Sequence, residues 1–301
     1  MASLPHVRIL LCTHNGREWL HAQLESYLAQ SHDNWSLWVS DDGSTDSTRA
    51  IIADFAARHP GKVARLLQGP RMGSAANFLS LLCHPDLPLG PVALSDQDDV
   101  WLPDRLSTAL VALEAAGPKP CVWAGVYYVT DAALRIKYVA GRWPRPPSLG
   151  NALVQNMLSG HTLTLNAQAV ALVRQAGVQN VSHHNWWIYL LLMASGKQAV
   201  ADVRPVLLYR QHCANTVGAR GSTFGRISRA RALWQGRLRD WIDENMTALA
   251  LCKPMLTPEA VRLVDLWENG ARADMLRMAG AHRQSRLETA LLFFAAQLGR
   301  F

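Results

Sequence analysis

The sequence is poor in the features that mark several common protein classes. It holds only five cysteines, Cys12, Cys83, Cys121, Cys213 and Cys252, widely spaced and without a CxxC pair. Such usage fits reduced thiols in a cytoplasmic protein. No stretch reaches the roughly 18 consecutive apolar residues of a membrane-spanning helix. The opening Met1-Ala2-Ser3-Leu4-Pro5-His6 lacks a basic segment followed by a long apolar one, so no secretory signal is expected. No G-x-G-x-x-G follows the first strand-like run and no P-loop lysine motif occurs, which weakens dinucleotide and Walker-type readings. Internal repeats and low-complexity tracts are absent. Residues 204–239 hold no acidic residue, while Arg204, Arg210, Arg220, Arg226, Arg229, Arg231, Arg237 and Arg239 all fall there.

What is present suits one large domain, or a main domain with an appendage: 301 residues, 49% of them hydrophobic. The net charge of +7 arises from 30 basic and 23 acidic residues. That surplus suits a nucleic acid, an anionic membrane surface or a phosphorylated substrate. Eleven tryptophans add aromatic surface, which suits nucleic acid, sugar and lipid headgroups alike. No nucleic-acid module accompanies the charge, so nucleic acid is not expected as a partner.

Along the chain, β-prone runs alternate with helical periodicity. Residues 7–12, 35–40, 63–68 and 92–95 read as strands; Leu20, Leu24, Tyr27 and Leu28, then Ile51, Ile52 and Phe55, then residues 75–82, read as helices. Repeated strand–helix units predict an α/β fold with a mostly parallel sheet flanked by helices. Further on, the patterns predict a helix with Leu106, Leu110 and Leu113, a central strand at 121–129, a loop over 141–152 and a strand at 160–165. A helix over 167–176, an apolar helix to about 194 and a strand at 206–209 follow. Gly218, Gly221 and Gly225 suggest a mobile segment, and helices are expected over about 226–251, 257–269 and 271–298.

In parallel sheets of this kind ligands bind beyond the carboxyl ends of the strands. The polar signals lie at those ends: Thr13-His14-Asn15, Asp41-Asp42, and Asp96 to Asp99 in Val-Ala-Leu-Ser-Asp-Gln-Asp-Asp. Three carboxylates so close together repel one another unless a cation or ligand is held there. Oxygen ligands at this spacing suit Mg²⁺ or Mn²⁺. Alternation along an extended segment would put Asp96 and Asp98 on one side.

These residues resemble a family 2, GT-A-type glycosyltransferase of the bacterial rhamnosyltransferase-like branch. The matching stretches, in family order, are Thr13-His14-Asn15-Gly16, Asp41-Asp42-Gly43-Ser44-Thr45-Asp46, Asn77-Phe78, Ser95-Asp96-Gln97-Asp98-Asp99-Val100-Trp101, Gly160, Asn185-Trp186-Trp187 and Tyr209-Arg210-Gln211-His212. The resemblance implies a GT-A catalytic domain over 1–217 and a helical region over 218–301 that packs on it or faces the membrane. It implies a donor site at Thr13, Asn15, Asp41, Asp42, Asn77, Asp96 and Gln97. Asp41 would read the N3–H of uracil or thymine, Asp98 and His212 would hold the metal at the diphosphate, and Arg210 would assist the departing phosphate. His161, Trp186 and Trp187 fall on the acceptor side. For several residues a packing role stands beside the functional one. Asp42 suits a turn cap and Asp99 a helix cap; Trp101 suits packing; of Trp186 and Trp187, one suits the acceptor site and one an anchor.

The resemblance departs at one position. The family's inverting members carry a general-base aspartate before the paired tryptophans, and here that position is Asn185, preceded by His184. An amide does not usefully accept a proton. Three explanations stand: an aspartate-to-asparagine substitution, a base moved to His183 or His184, or a catalytically silent nucleotide-sugar or glycan-binding protein. The donor implied is a nucleoside-diphosphate sugar, dTDP-L-rhamnose before a UDP- or GDP-sugar. The basic C-terminal half suggests an anionic glycan or glycolipid acceptor such as lipopolysaccharide core. Residues 224–241 combine Arg226, Arg229, Arg231, Arg237 and Arg239 with apolar side chains, as does a helix lying on a membrane. The expected location is the cytoplasm, with peripheral contact at the inner face of the inner membrane.

Overall fold

The computed structural model describes residues 5–212 and 237–297. The expected glycine-rich segment at 218–225, Cys213 and most of the basic stretch 224–241 lie outside those residues. The chain forms strands β1 (Val7–Thr13), β2 (Trp35–Asp41), β3 (Val63–Gln68), β4 (Val92–Ser95), β5 (Val100–Trp101), β6 (Cys121–Thr130), β7 (Ile136–Ala140), β8 (Leu163–Leu165) and β9 (Gln198–Arg210). Their order in one sheet is β3-β2-β1-β4-β8-β6-β9-β5, with β7 paired to β6. Neighbours β3, β2, β1 and β4 are parallel, as are β6 and β9; β5, β7 and β8 run against them.

Alternation along β1 decides which helices cover which face. Ile9 and Leu11 point into a core shared with Leu20, Leu24 and Tyr27 of α1 (Leu20–Leu28), Ile52 and Phe55 of α2 (Thr48–Arg58), and Leu106 and Leu110 of α4 (Arg105–Ala115). Leu10 and Cys12 point to the opposite face, against Phe78 and Leu82 of α3 (Ser74–Leu82), Val170 and Val173 of α6 (Ala167–Ala176) and most of α7 (His184–Ala194). A one-residue slip would move every side chain of β1 to the wrong core. Between α4 and α6 lie a short α5 (Leu149–Ala152) and a 3₁₀ turn at Gly160–Thr162.

The C-terminal region joins the second core. Leu238, Ile242 and Met246 of α8 (Arg237–Leu251), Leu263 and Val264 of α9 (Pro258–Glu268), Met275 and Leu276 of α10 (Arg272–Met278) and Leu292 of α11 (Arg286–Gln297) all pack there. Polar contacts tie it down: Arg283 Nη1 donates to the Val154 carbonyl at 2.7 Å and Asn151 Nδ2 to the His282 carbonyl at 2.9 Å. On the outer face of α11, Leu287, Leu291 and Phe294 are exposed. Among the described residues, no helix is long and apolar enough to cross a membrane.

The parallel sheet with flanking helices and a helical C-terminal extension matches the sequence expectation. Several details differ. The expected strand at 160–165 begins as the 3₁₀ turn and narrows to Leu163–Leu165, because Gly160 packs against α7. The strand at 206–209 lengthens to thirteen residues by pairing along β6. The hairpin partner β7 and the two-residue β5 have too little periodicity to read from sequence. The expected helix over 271–298 divides in two around Gly280, which takes φ +56°.

Gly150 marks the docking of the C-terminal region. A Cβ there would lie 2.4 Å from the Ala279 carbonyl oxygen and 2.7 Å from that of Gly280. Gly150→Ala is therefore expected to lower the free energy of unfolding by about 1–3 kcal/mol, measured as a shift in the urea midpoint at constant slope.

Candidate active site

β1 lies between β2 and β4, so the strand order reverses beside it, and crevices open beyond strand ends at such points. The register sets Thr13 beside Asp41 and Leu11 beside Ser95. Three separate segments, 13–16, 41–46 and 95–99, thereby share one edge.

The first two segments lock together through side chains. Asp41 is buried, and its Oδ2 accepts from Thr13 Oγ1 at 2.9 Å and from Ser44 Oγ at 2.6 Å, while Oδ1 accepts from the Ser44 amide at 3.0 Å. Asp42 accepts from the amides of Arg71 and Gly73 at 2.6 and 2.9 Å and so closes the loop before α3. Asn77 accepts from Ser40 Oγ at 2.6 Å and donates to the Ser40 carbonyl at 3.0 Å. Asn15 takes the left-handed conformation, φ +48°, and its Oδ1 accepts from the Thr45 amide at 2.8 Å. Gln97 reaches back across the crevice, accepting from the His14 amide and donating to the His14 carbonyl, each at 2.9 Å. Gly16 leaves room for that reach, since a Cβ there would meet Gln97 Oε1 at 2.3 Å.

The chain bends after Ser95, so the three carboxylates diverge instead of alternating. Asp98 turns toward the end of β9, where His212 Nε2 lies 2.9 Å from its Oδ2 and Arg210 Nε donates to its carbonyl at 3.2 Å. Asp96 and Asp99 group with His161, their ligand atoms all within 4.8 Å of one another. His161 Nδ1 is 3.8 Å from Asp96 Oδ2, and its ring stacks on Tyr209 at 5.0 Å and meets Tyr127 edge-on at 4.6 Å. Asp99 is fully buried, and neither carboxylate oxygen meets a donor in hydrogen-bond geometry. It does not cap α4, whose N-cap residue is Asp104.

Beneath this group lies Arg105, also fully buried. Its Nη2 donates to the carbonyls of Leu94 and His161 at 2.9 and 2.8 Å, and its guanidinium stacks on Trp101 at 3.3 Å. Burial lowers its pKa to about 9, against the opposing pull of Tyr27, Asp99 and Asp96. Desolvation, then the charge of Asp98, pushes Asp96 up to about 7, with Arg105 acting the other way. Burial, Asp98 and Asp96 raise Asp99 well above the usual carboxylate range, only partly offset by the Arg210 backbone and Arg105.

Two carboxylates held up by burial and mutual repulsion, with orphaned oxygens beside an imidazole, fit a hard divalent cation. Asp98 and His212 offer a second carboxylate–imidazole pair at the same edge. When bound, such a cation neutralises diphosphate charge.

Position 185 lies on the first turn of α7. Asn185 Nδ2 donates to the Leu158 carbonyl at 2.7 Å. His184 is buried and stacks on Phe78 at 4.2 Å; burial, then His183, lowers its pKa to about 3. Trp186 and Trp187 are both buried in the core, and Trp186 Nε1 donates to the Ala152 carbonyl at 2.6 Å. Both rings pack inside the core, on a helix buried on nearly every side.

Sequence reading missed three contributors. Asp99 was visible as part of the acidic run, but nothing in the run separates a ligand from a cap. Arg105 follows a proline turn and reads as a surface residue, the usual place for arginine. Trp19 precedes α1 and stacks on the His212 ring at 5.3 Å while the Arg210 guanidinium lies 4.5 Å from its centroid. It forms a wall that holds both side chains on Asp98.

A nine-stranded α/β sheet with an Asp–Asp–His group at its switch point, Asp99 and His161 buried and Asp96 half-buried, defines a metal-dependent glycosyltransferase of the GT-A type, acting on a nucleoside-diphosphate-sugar donor. The chain belongs to glycosyl transferase family 2, whose family model matches residues 8–178. It is 26% identical over 252 residues to the dTDP-rhamnosyl transferase RfbG of Shigella flexneri, covering 80% of this chain and 83% of that protein. Its fold is similar to that of the Pyrobaculum calidifontis mannosyltransferase PcManGT in complex with GDP-Man and Mn²⁺. That match has a TM-score of 0.55 at 19% identity and covers 100% of this chain and 82% of that one. S. aureus TarS 1-349 in complex with UDP-GlcNAc is similar with a TM-score of 0.57 at 11% identity, covering 91% and 89% of the two chains.

Two outcomes are expected from this geometry. Asp96 binds its proton more tightly when folded than when unfolded, so the folded state holds more protons between the unfolded value of 3.8 and the folded value of about 7. Stability of the metal-free protein must therefore fall as pH rises through that window. Melting temperature measured in chelator should decline from pH 5 to pH 8, and Mn²⁺ at pH 8 should restore it. Replacing Trp19 separates stacking from bulk. Trp19→Phe should keep nucleoside-diphosphate release within about threefold of the parent, whereas Trp19→Leu should lower it roughly tenfold, a difference of about 1.4 kcal/mol in barrier, with the melting temperature unchanged.

Proposed function

We propose that the protein is an inverting transferase that moves L-rhamnose from dTDP-L-rhamnose to an anionic cell-surface glycan, lipopolysaccharide core being the favoured acceptor. The observation that carries the reading is the convergence of the Thr13–Asp41 donor edge with the Asp98–His212 pair in one crevice. Similarity along 83% of a dTDP-rhamnosyl transferase supports the choice of base and sugar. In the reaction, an acceptor hydroxyl oxygen forms a bond to the anomeric carbon as the bond from that carbon to the diphosphate oxygen breaks. The leaving dTDP takes the electron pair, and the hydroxyl proton passes to a base of the crevice. Thr13, Asn15, Asp41, Asp42, Asn77, Asp96 and Gln97 bind or frame the donor. Asp98 and His212 would hold Mg²⁺ or Mn²⁺ beside the Asp96–Asp99–His161 group, and Arg210 faces the departing phosphate. His161 lies toward the acceptor. Residues 1–217 form the catalytic region and 218–301 a helical region that packs on it or faces the membrane.

A second reading, a catalytically silent nucleotide-sugar binder, is favoured by Asn185 at the position where the family's members carry an aspartate. The two separate in one assay. Purified protein with Mn²⁺ or Mg²⁺ is given dTDP-, UDP- and GDP-sugars with crude lipopolysaccharide, and released nucleoside diphosphate and labelled glycan are followed. dTDP-L-rhamnose should be turned over at least about tenfold faster than the other donors, a discrimination of about 1.4 kcal/mol, and chelation should abolish it. Tight binding of one donor with no diphosphate release and no labelled glycan would establish the binder instead.

A further inference from the structure

The direction of one hydrogen bond decides what position 185 can do. Asn185 Nδ2 lies 2.7 Å from the Leu158 carbonyl oxygen. A carbonyl only accepts, so the Asn185 amide is the donor in this contact. A carboxylate there would set acceptor against acceptor beside a core residue, Leu158 being only 2% exposed.

The carbonyl belongs to a turn that carries His161. Within the turn, the Thr162 amide and hydroxyl both donate to the Ser159 carbonyl, at 3.0 and 2.8 Å. Gly160 lies flat against the start of α7: a Cβ there would come within 3.0 Å of His184 Nε2 and 3.5 Å of Asn185 Cβ. From the opposite side Arg105 Nη2 holds the His161 carbonyl at 2.8 Å. The turn is thus fastened to α7 by an amide and to α4 by a guanidinium. Its imidazole is held by Tyr127 and Tyr209 with Nδ1 toward Asp96.

We infer that Asn185 is a positioning residue that works through its amide, fastening the Leu158–Thr162 turn so that His161 faces Asp96, and that turnover requires a hydrogen-bond donor, not a carboxylate, at position 185. The inference rests on the transferase reading above for its kinetic arm only.

The test compares the parent with Asn185→Asp and Asn185→Ala, measuring diphosphate release with the best donor and thermal melting in parallel. Both variants should lose about tenfold or more in kcat while donor KM stays within about threefold, since Thr13 and Asp41 are held by each other and by Ser44 and not by this turn. Both should melt a few degrees lower, as the Leu158 carbonyl loses its donor. Gly160→Ala, which pushes the same turn off α7, should show the same kcat loss at unchanged KM. An Asn185→Asp protein faster than its parent would overturn the inference, because position 185 would then be the seat of a base. So would an Asn185→Ala protein equal to its parent in both kcat and melting. If the parent binds donor but releases no diphosphate, the transferase reading fails and melting alone decides. Lower melting in both variants then supports the fastening role, and unchanged melting in both overturns it.

Discussion

Mutual repulsion among Asp96, Asp98 and Asp99 is the constraint around which the rest of the molecule is arranged. Three carboxylates in four residues at one strand end would be unstable as a flat acidic edge. The bend after Ser95 leaves Asp96 and Asp99 grouped with His161 and turns Asp98 toward His212. Asp98 meets His212, Asp96 meets His161, and Asp99 is enclosed beside the Arg210 backbone. The price of that enclosure is carried by Arg105, whose charge sits beneath the group.

Arg105 also explains how distant parts of the chain come to share one site. Burying a guanidinium is costly, and at Arg105 the contacts of Nη2 and of the guanidinium face offset part of that cost, while Nε and Nη1 meet no acceptor. Here one nitrogen spans the end of β4 and the His161 turn, and the face lies on Trp101. The donor end of the crevice and the His161 turn are therefore held at a fixed separation by one side chain. Trp19 has a comparable place at the opposite side. It couples the loop after β1 to Arg210 and His212, residues that follow almost two hundred positions later.

Much of this was legible in the residues. The strand–helix rhythm of the first hundred residues announced a parallel sheet, and the polar runs at the strand ends announced where its crevice lies. Gln97 and Asn15 stood in that crevice on sequence grounds, and the structure joins them to neighbouring loops. Other expectations depended on geometry that periodicity does not contain. Alternation predicted Asp96 and Asp98 on one side, but alternation holds only for extended backbone, and the chain bends there. The paired tryptophans were open to an anchoring role, and both are buried in the core. Asp42, open to a cap or a ligand role, fastens the loop carrying Arg71 and Gly73.

The sequence by itself determined the sheet class, the strands that end in polar residues and the presence of a cation-binding acidic run. These follow from local rules: side-chain period, turn chemistry and like-charge crowding act over a few neighbouring residues. Only the tertiary structure decided which acids stand together, that Arg105 lies beneath them, and that Asn185 donates to the Leu158 turn. Those outcomes depend on the meeting of β4, α4, α7 and the end of β9, segments whose spacing is set by core packing and sheet register and has no trace in any short stretch of residues.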